Sequence, residues 1–90
     1  MTLQIRSILV DDEQRHHDIL GKMLSTFCPE IELIGHAYSV SEAVSLIKTE
    51  QPQLVFLDIE MPDGNGFNVF DHFEEPPFEV IFTTAHDLYA

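Results

Sequence analysis

Residues 54–66 read L-V-F-L-D-I-E-M-P-D-G-N-G, and this stretch decides the fold of the chain. Four apolar residues lead directly into Asp58, and Pro62 and two glycines follow within eight positions. A short apolar run that ends at turn residues is typical of a strand buried on both faces of a parallel sheet. The pattern therefore predicts that Asp58 lies at the carboxyl edge of such a sheet, where ligands bind in open α/β folds. The simpler alternative is an Asp that only caps a turn.

The segments around this strand alternate between strand and helix patterns. Three of them have the apolar pattern of further strands: residues 4–10, 30–37 and 79–83. Three others have helical spacing of apolar residues: 13–27, 39–50 and 67–73. Ser39 and Glu42 form the S-x-x-E pattern of a helix capping box. Alternation of strand and helix predicts an α/β domain with a parallel sheet and right-handed crossovers.

Composition limits the function classes that this segment can serve. Ninety residues allow one domain, and a hydrophobic fraction of 44% allows a real core. Sixteen acidic residues against four basic ones give a formal charge of -12, which argues against binding nucleic acid or anionic membrane and favours cations or basic partners. A single cysteine, Cys28, excludes an internal disulfide. With no signal peptide or membrane span recognisable, we expect a cytoplasmic protein.

Polar residues follow three of the predicted strands at the point where each strand ends. Asp11, Asp12 and Glu13 follow the first strand, Asp58 ends the third, and Thr83 or Thr84 ends the fourth. Carboxyl ends of parallel strands share one edge, so we expect these groups to converge. Clustered carboxylates need a cation, and ligands that are all oxygen indicate Mg²⁺ or a similar hard ion. A metal beside a carboxylate, with a hydroxyl nearby, suits phosphoryl transfer onto that carboxylate.

Three motifs in order resemble the receiver domain of two-component response regulators, across the whole chain. They are I-L-V-D-D-E at 8–13, L-D-I-E-M-P-D-G-N-G at 57–66 and F-T-T-A at 82–85. The resemblance implies a flavodoxin-like doubly wound parallel sheet of strand order 2-1-3-4-5. It also implies Mg²⁺ as cofactor and a sensor histidine kinase as the phosphoryl donor.

The resemblance also implies roles for individual residues. Carried over by position, Asp58 is the phosphoacceptor and Asp12 the direct metal ligand. The remaining implied roles belong to Asp11 (metal binding through water), Glu60 (a backbone carbonyl ligand), Thr84 (the switch hydroxyl), and Pro62 and Gly66 (the loop that shapes the site). His86, two positions beyond Thr84, is a candidate gate over the phosphoryl group or an ordinary helix-start residue.

Receiver domains resembling this chain carry a fifth strand, a fifth helix and a functional Lys that this sequence does not contain. We therefore expect residues 1–90 to be a receiver domain that is incomplete at its C-terminus, with strand order 2-1-3-4. Strand four would then have an open edge, which predicts self-association through it. The run T-T-A-H-D at 83–87 resembles receivers attached to LytTR-type DNA-binding domains, which implies a transcriptional output in an absent domain.

Two other functions remain open at this point. A haloacid-dehalogenase-type phosphatase also places a nucleophilic Asp at a strand end, but its second Asp corresponds to Glu60 here. A pseudo-receiver that acts without phosphorylation is the other alternative. We expect a protein that accepts a phosphoryl group on itself and is not an enzyme with catalytic turnover. His16 and His17 are interpreted as solvated residues in the first turn of a helix, because adjacent helical side chains point about 100° apart.

Overall fold

The computed structural model describes residues 3–83, which form an α/β unit. The elements are β1 (Ile5–Val10), α1 (Gln14–Phe27), β2 (Ile31–Ala37), α2 (Val40–Glu50), β3 (Leu54–Asp58), a 3-10 helix (Gly66–His72) and β4 (Glu79–Thr83). A two-stranded antiparallel ladder of Glu60–Met61 and Gly64–Asn65 lies between β3 and the 3-10 helix. None of the helices within residues 3–83 is long and apolar enough to cross a membrane.

The four main strands form one parallel sheet in the order β2-β1-β3-β4. This order confirms the predicted flavodoxin-like topology and places β1 and β3 in the centre. Alternate residues of the central strands face opposite sides of the sheet. Ile8 and Val55 belong to a large core on one side, whereas Leu9 and Phe56 belong to a smaller core on the other. Burial on both faces is the reason why these two strands read as unbroken apolar runs.

Helix α1 buries only one side of its apolar stripe. Leu24 is buried and Leu20 packs against the smaller core. Ile19, Met23 and Phe27 of the same stripe are 54%, 52% and 75% exposed. The physical reason is that, within the described residues, α1 meets the sheet through the Leu20–Leu24 side and no element covers the Ile19–Met23 flank.

Helix α2 begins where its capping pattern predicts. The Glu42 backbone N–H donates to the Ser39 hydroxyl at 3.1 Å, which confirms Ser39 as the N-cap. The Glu42 carboxylate accepts from the Tyr38 N–H at 3.0 Å, one residue before the cap. The helix ends at Gln51, whose φ of 49° is left-handed. Its inward face buries Ala43, Val44 and Ile47, and Leu46 is half-buried against the same core.

The aromatic segment after the glycine loop is a 3-10 helix, and its side chains differ in burial. Val69 is buried, whereas Phe67 is 49% exposed. On β4, which pairs with β3 and forms one edge of the described sheet, Ile81 and Phe82 are 48% and 43% exposed. Self-association through this strand stays a prediction.

Candidate functional site

The strand pairing brings the first acidic cluster next to Asp58. Val10 of β1 pairs with Leu57 of β3, so Asp11 and Asp58 come one residue later on neighbouring strands. Ligand oxygens of Asp11, Asp12 and Asp58 all lie within 4.8 Å of one another. The chain therefore places three carboxylates at the carboxyl edge of the central strands, where the sequence predicts them.

Burial and mutual repulsion disfavour the charged form of Asp58. Asp11 and Asp58 are 5% and 7% exposed, whereas Asp12 is exposed. Burial, followed by the negative charge of Asp11, raises the pKa of Asp58 to about 6 from its ordinary value of 3.8. The Glu60 N–H, which donates to Asp58 Oδ1 at 3.3 Å, opposes the rise. An all-oxygen donor set whose charges repel one another fits a hard divalent cation such as Mg²⁺.

A pocket of about 280 Å³ opens over these carboxylates. Its lining consists of Asp12, Glu13, His16, Asp58, Glu60, Met61 and Pro62. The structure thus brings Glu60 and Pro62 to the same pocket as the acidic residues. The pocket offers mostly polar surface beside Asp58, which suits a small charged group better than an apolar ligand.

Gly66 allows the loop after β3 to fold back onto the strand end. Its N–H donates to the Ile59 carbonyl oxygen. A Cβ at this position would collide with the Asp58 carbonyl oxygen and lie 3.0 Å from the Ile59 Cα. Both neighbours are backbone atoms that cannot rotate away. A side chain at position 66 would therefore displace the main chain that carries Asp58.

Asp63 fastens the same loop to helix α2, a role that sequence reasoning missed. Its carboxylate accepts from the Val40 N–H at 2.8 Å and from the Ser41 N–H at 3.1 Å. These two bonds, the Val40 bond first, lower the pKa of Asp63 below its ordinary value. First-turn amides lack partners within their own helix, so a carboxylate from elsewhere in the chain satisfies them.

His16 and His17 both contact Asp11, so the expectation that they are solvated is wrong. His16 Nδ1 lies 3.0 Å from each oxygen of the Asp11 carboxylate. His17 is 2% exposed, and its Nε2 lies 2.9 Å from the Asp11 carbonyl oxygen. Its Nδ1 lies 2.7 Å from His36 Nδ1 on β2. Helix α1 starts directly after the acidic cluster, so its first turn packs over the end of β1.

The environment of His36 on β2 disfavours the charged form of its ring. Burial, and then the nearby His17, lower the pKa of His36 below its ordinary value, although Asp18 opposes the shift. A neutral His36 has one ring N–H to donate and one ring nitrogen that accepts. This is the arrangement that a short bond between two imidazole nitrogens requires.

The last polar group of the site that the structure describes is Thr83. It pairs with Asp58 across β3 and β4. Its Oγ1 is buried and has no hydrogen-bond partner among residues 3–83. Thr84 and His86 lie outside the described residues, so the switch hydroxyl and the gate stay predictions.

The sequence matches curated relatives over almost its full length. It is 38% identical over 89 residues to the sensory transduction protein LytT of Bacillus cereus, covering 96% of this chain and 35% of that protein. It is 34% identical to LytT of Enterococcus faecalis over 86 residues, covering 92% of this chain and 35% of that protein. The chain spans about a third of the length of these relatives.

Solved structures of receiver domains are similar in fold to this chain. The response regulator domain of Thermotoga maritima CheB superposes with a TM-score of 0.81 at 28% identity, covering 91% of this chain and 61% of that one. The signal receiver domain of the response regulator NarL from Mycobacterium tuberculosis gives 0.81 at 27% identity, covering 94% and 69%. A family model described as response regulator receiver domain matches residues 8–89. The chain belongs to the response regulator receiver domains, the phosphoacceptor domains of two-component systems.

Proposed function

We propose that Asp58 accepts a phosphoryl group from the phosphohistidine of a sensor histidine kinase. Receiver domains are regulatory phosphoacceptors that such kinases phosphorylate, and they generally bind Mg²⁺ at an acidic pocket. One observation carries the assignment to Asp58. It is the carboxylate that ends the central strand β3, and it lies against the polar pocket within 4.8 Å of two further Asp residues.

The hydrogen bonds of the cluster favour Asp58 over its neighbour Asp11 as the nucleophile. Asp11 Oδ1 accepts from the Glu13 N–H at 2.9 Å, and both of its oxygens face His16 Nδ1 at 3.0 Å. Within residues 3–83, Asp58 accepts one long bond from the Glu60 N–H. An oxygen with fewer donors keeps more of its lone-pair density for attack. Asp11 therefore serves the site as a fixed charge, and Asp58 reacts.

The reaction is a transfer between two nucleophiles. An Asp58 carboxylate oxygen forms a bond to phosphorus while the bond from phosphorus to the kinase imidazole nitrogen breaks. The imidazole keeps the electron pair and takes up a proton, and the product is an acyl phosphate. Asp12 and Asp58, the Glu60 carbonyl and a water-bridged Asp11 would hold Mg²⁺, which would offset the charge on the phosphoryl oxygens.

The output follows from the position of Asp58 beside β4. A new dianionic group attracts donors, and Thr84 is the hydroxyl that we assign to it. Movement of Thr84 would shift β4 and the surface that follows it between two states. Residues 1–90 belong to one receiver domain in this proposal, and a DNA-binding region elsewhere in the protein carries the transcriptional output.

Intact-protein mass spectrometry tests the assignment. The chain is incubated with Mg²⁺ and a small-molecule phosphodonor, and we expect one added phosphoryl group that hydroxylamine removes. Asp58→Asn should abolish the addition, whereas Asp71→Asn, an exposed Asp on the 3-10 helix, should not. Full phosphorylation of the Asp58→Asn protein would overturn the assignment. A wild-type chain that takes up no phosphoryl group would instead support the phosphate-independent alternative.

A further inference from the structure

We propose that His16 and His17 are positioning residues that hold Asp11 for cation binding, His16 through its carboxylate and His17 through its main-chain carbonyl. The inference rests on the proposed function and deepens it, because it assigns a role to two adjacent residues that the phosphoacceptor chemistry does not itself use. Their adjacency matters. Two consecutive helical side chains diverge by about 100°, which lets one helical turn contact two different groups of the same residue.

His16 fixes the orientation of the Asp11 carboxylate. Its Nδ1 is 3.0 Å from both Oδ1 and Oδ2, so the ring nitrogen faces the carboxylate symmetrically. An ionised carboxylate can only accept, which means that Nδ1 carries the proton and donates. The Glu13 N–H donates to Oδ1 at 2.9 Å from a second direction. Two donors from different directions leave the carboxylate one orientation.

His17 fixes the main chain of the same residue. A carbonyl oxygen only accepts, so the 2.9 Å contact requires a proton on His17 Nε2. In a neutral ring His17 Nδ1 then accepts, and the His36 Nδ1 at 2.7 Å must donate to it. Tyr38 stacks on the His17 ring with centroids 4.2 Å apart. The His17 ring is therefore fixed by a partner on each nitrogen and one on its face.

A carboxylate that acts on a metal through an ordered water needs fixed oxygen positions. Residues that orient a metal-binding group from behind typically change metal affinity 10- to 100-fold when they are replaced. The two histidines stand in this relation to Asp11, since each contacts Asp11 and Asp11 lies within 4.8 Å of the other two carboxylates. The expected consequence is weaker Mg²⁺ binding when either donor is lost.

The first experiment replaces His16, whose side chain is 24% exposed, whereas His17 is buried. His16→Leu removes the donor, whereas His16→Asn places an amide N–H near the position of Nδ1. His72→Leu, at an exposed histidine of the 3-10 helix, is the matched control. Mg²⁺ affinity is measured by calorimetric titration at pH 8, which is well above the ordinary imidazole pKa of about 6.5. We expect His16→Leu to weaken binding about 10-fold, with most of the affinity restored in His16→Asn. Equal affinity of His16→Leu and wild type would overturn the role of His16.

The second experiment leaves the protein unaltered, because a buried His17 tolerates substitution poorly. Nitrogen-15 chemical shifts of the wild-type imidazoles at pH 8 report which ring nitrogen carries the proton. We expect His17 to carry it on Nε2 and His36 to carry it on Nδ1. A His17 ring protonated on Nδ1 alone could not donate to the Asp11 carbonyl, and this result would overturn the role of His17.

Neither measurement needs a phosphodonor, so failure of the inference and failure of the proposed function can be told apart. Phosphorylation of Asp58 together with unchanged Mg²⁺ affinity in His16→Leu would refute the positioning role and leave the function intact. If Mg²⁺ binding depended on His16 but Asp58 were not phosphorylated, the positioning role would be supported and the proposed function would be refuted. A wild-type chain that binds no Mg²⁺ at millimolar concentration would refute the positioning role as well.

Discussion

At position 66 the absence of a side chain allows two backbone segments to meet. A Cβ on Gly66 would collide with the Asp58 carbonyl oxygen, so we expect Gly66→Ala to destabilise the fold by about 1–3 kcal/mol. The same replacement at Gly21 in α1 should have the opposite sign. There the nearest atom is a Leu33 methyl at 3.7 Å, and alanine in a helix is favoured over glycine by about 0.8–1 kcal/mol. Urea unfolding of both variants measures the difference.

If Gly66→Ala and Gly21→Ala changed the unfolding free energy in the same direction, the predicted collision of a Cβ at position 66 with the end of β3 would be contradicted. The effect at position 66 should also reach the site, because the displaced backbone carries Asp58. We expect Gly66→Ala to bind Mg²⁺ more weakly than Gly21→Ala.

Asp58 itself should lower the stability of the metal-free protein. A carboxyl group whose pKa rises from 3.8 to about 6 on folding binds its proton more tightly in the folded state. Its unfavourable effect is therefore absent below pH 4, grows between pH 4 and 6, and is complete above pH 6. Asp58→Asn should be more stable than wild type by about 1–2 kcal/mol at pH 7. Chelator-treated samples unfolded in urea across this pH range give the measurement.

The two proteins should converge below pH 4. If the free energy of unfolding of Asp58→Asn exceeded that of wild type by the same amount from pH 4 to pH 7, the difference would not come from the charge of the Asp58 carboxylate. Asp71→Asn, with an exposed carboxylate, serves as the control for the loss of a negative charge.

At the scale of single residues, the sequence was enough to find the carboxylates and too little to find the histidines. Asp11, Asp12 and Asp58 are visible because each comes at or after the end of an apolar run, and parallel strands end at one edge. The burial of His17 depends on His36 and Tyr38, which are 19 and 21 residues away on another strand or beyond it. No local pattern marks a polar helix residue whose partners come from a neighbouring strand.

Among the elements, the first turn of α2 depends on a residue from the loop after β3. Asp63 accepts from Val40 and Ser41, so Asp63→Asn should lower the melting temperature by removing the charge that these amides face. The lowered pKa of Asp63 sets the pH dependence. Its stabilisation is present above the ordinary value of 3.8 and is lost as the pH falls through the lower folded value. Thermal melts at pH 7 and at acid pH measure both effects.

Glu75→Gln removes a negative charge from an exposed loop and is the matched control. A melting temperature of Asp63→Asn equal to that of Glu75→Gln at pH 7 would mean that the cap contributes nothing. Circular dichroism of the variant should show the loss at the start of α2 as reduced helix content.

The elements that the sequence predicts well are those fixed by nearby residues. Ser39 and Glu42 lie three positions apart, and both make capping bonds in the structure. The Asp63 cap spans 23 residues, so it is visible only once the chain has folded. The 3-10 helix is a different case. Apolar spacing predicts a helix there but does not distinguish its winding, and the Asn65 and Asn68 side chains cap its start in the structure.

For the whole molecule, the charge of -12 makes cation binding a question of stability as well as function. A ligand that binds only the folded state stabilises it by about 2.7 kcal/mol at 100 times its Kd. We expect Mg²⁺ to raise the melting temperature of the wild-type chain. Asp12→Ala should abolish most of this rise, whereas Glu42→Ala, remote from the strand edge, should keep it. Each variant is compared with its own metal-free melt.

A rise in Asp12→Ala equal to that of wild type would mean that Mg²⁺ binds elsewhere on the acidic surface. Potassium chloride at matched ionic strength controls for general screening of the negative charge.

The arrangement of the whole molecule was predictable in two steps. Alternating strands and helices predict a parallel α/β sheet with right-handed crossovers, and the resemblance to receiver domains implies the order that the sheet β2-β1-β3-β4 shows. Apolar spacing alone does not separate the exposed flank of α1 from its buried side, since Ile19 and Met23 have the same spacing as buried residues. A pattern shows which face of a helix is apolar, but only the fold shows what covers it.

The Asp63 cap has a consequence for how the site can be observed. The amide protons of Val40 and Ser41 are hydrogen-bonded to Asp63 in the loop that follows β3. They exchange with solvent when that loop moves away or when the first turn of α2 frays. Their exchange rates therefore report on the loop from outside the pocket. Hydrogen exchange at two backbone positions of α2 can follow events at Asp58 without a probe attached to the site itself.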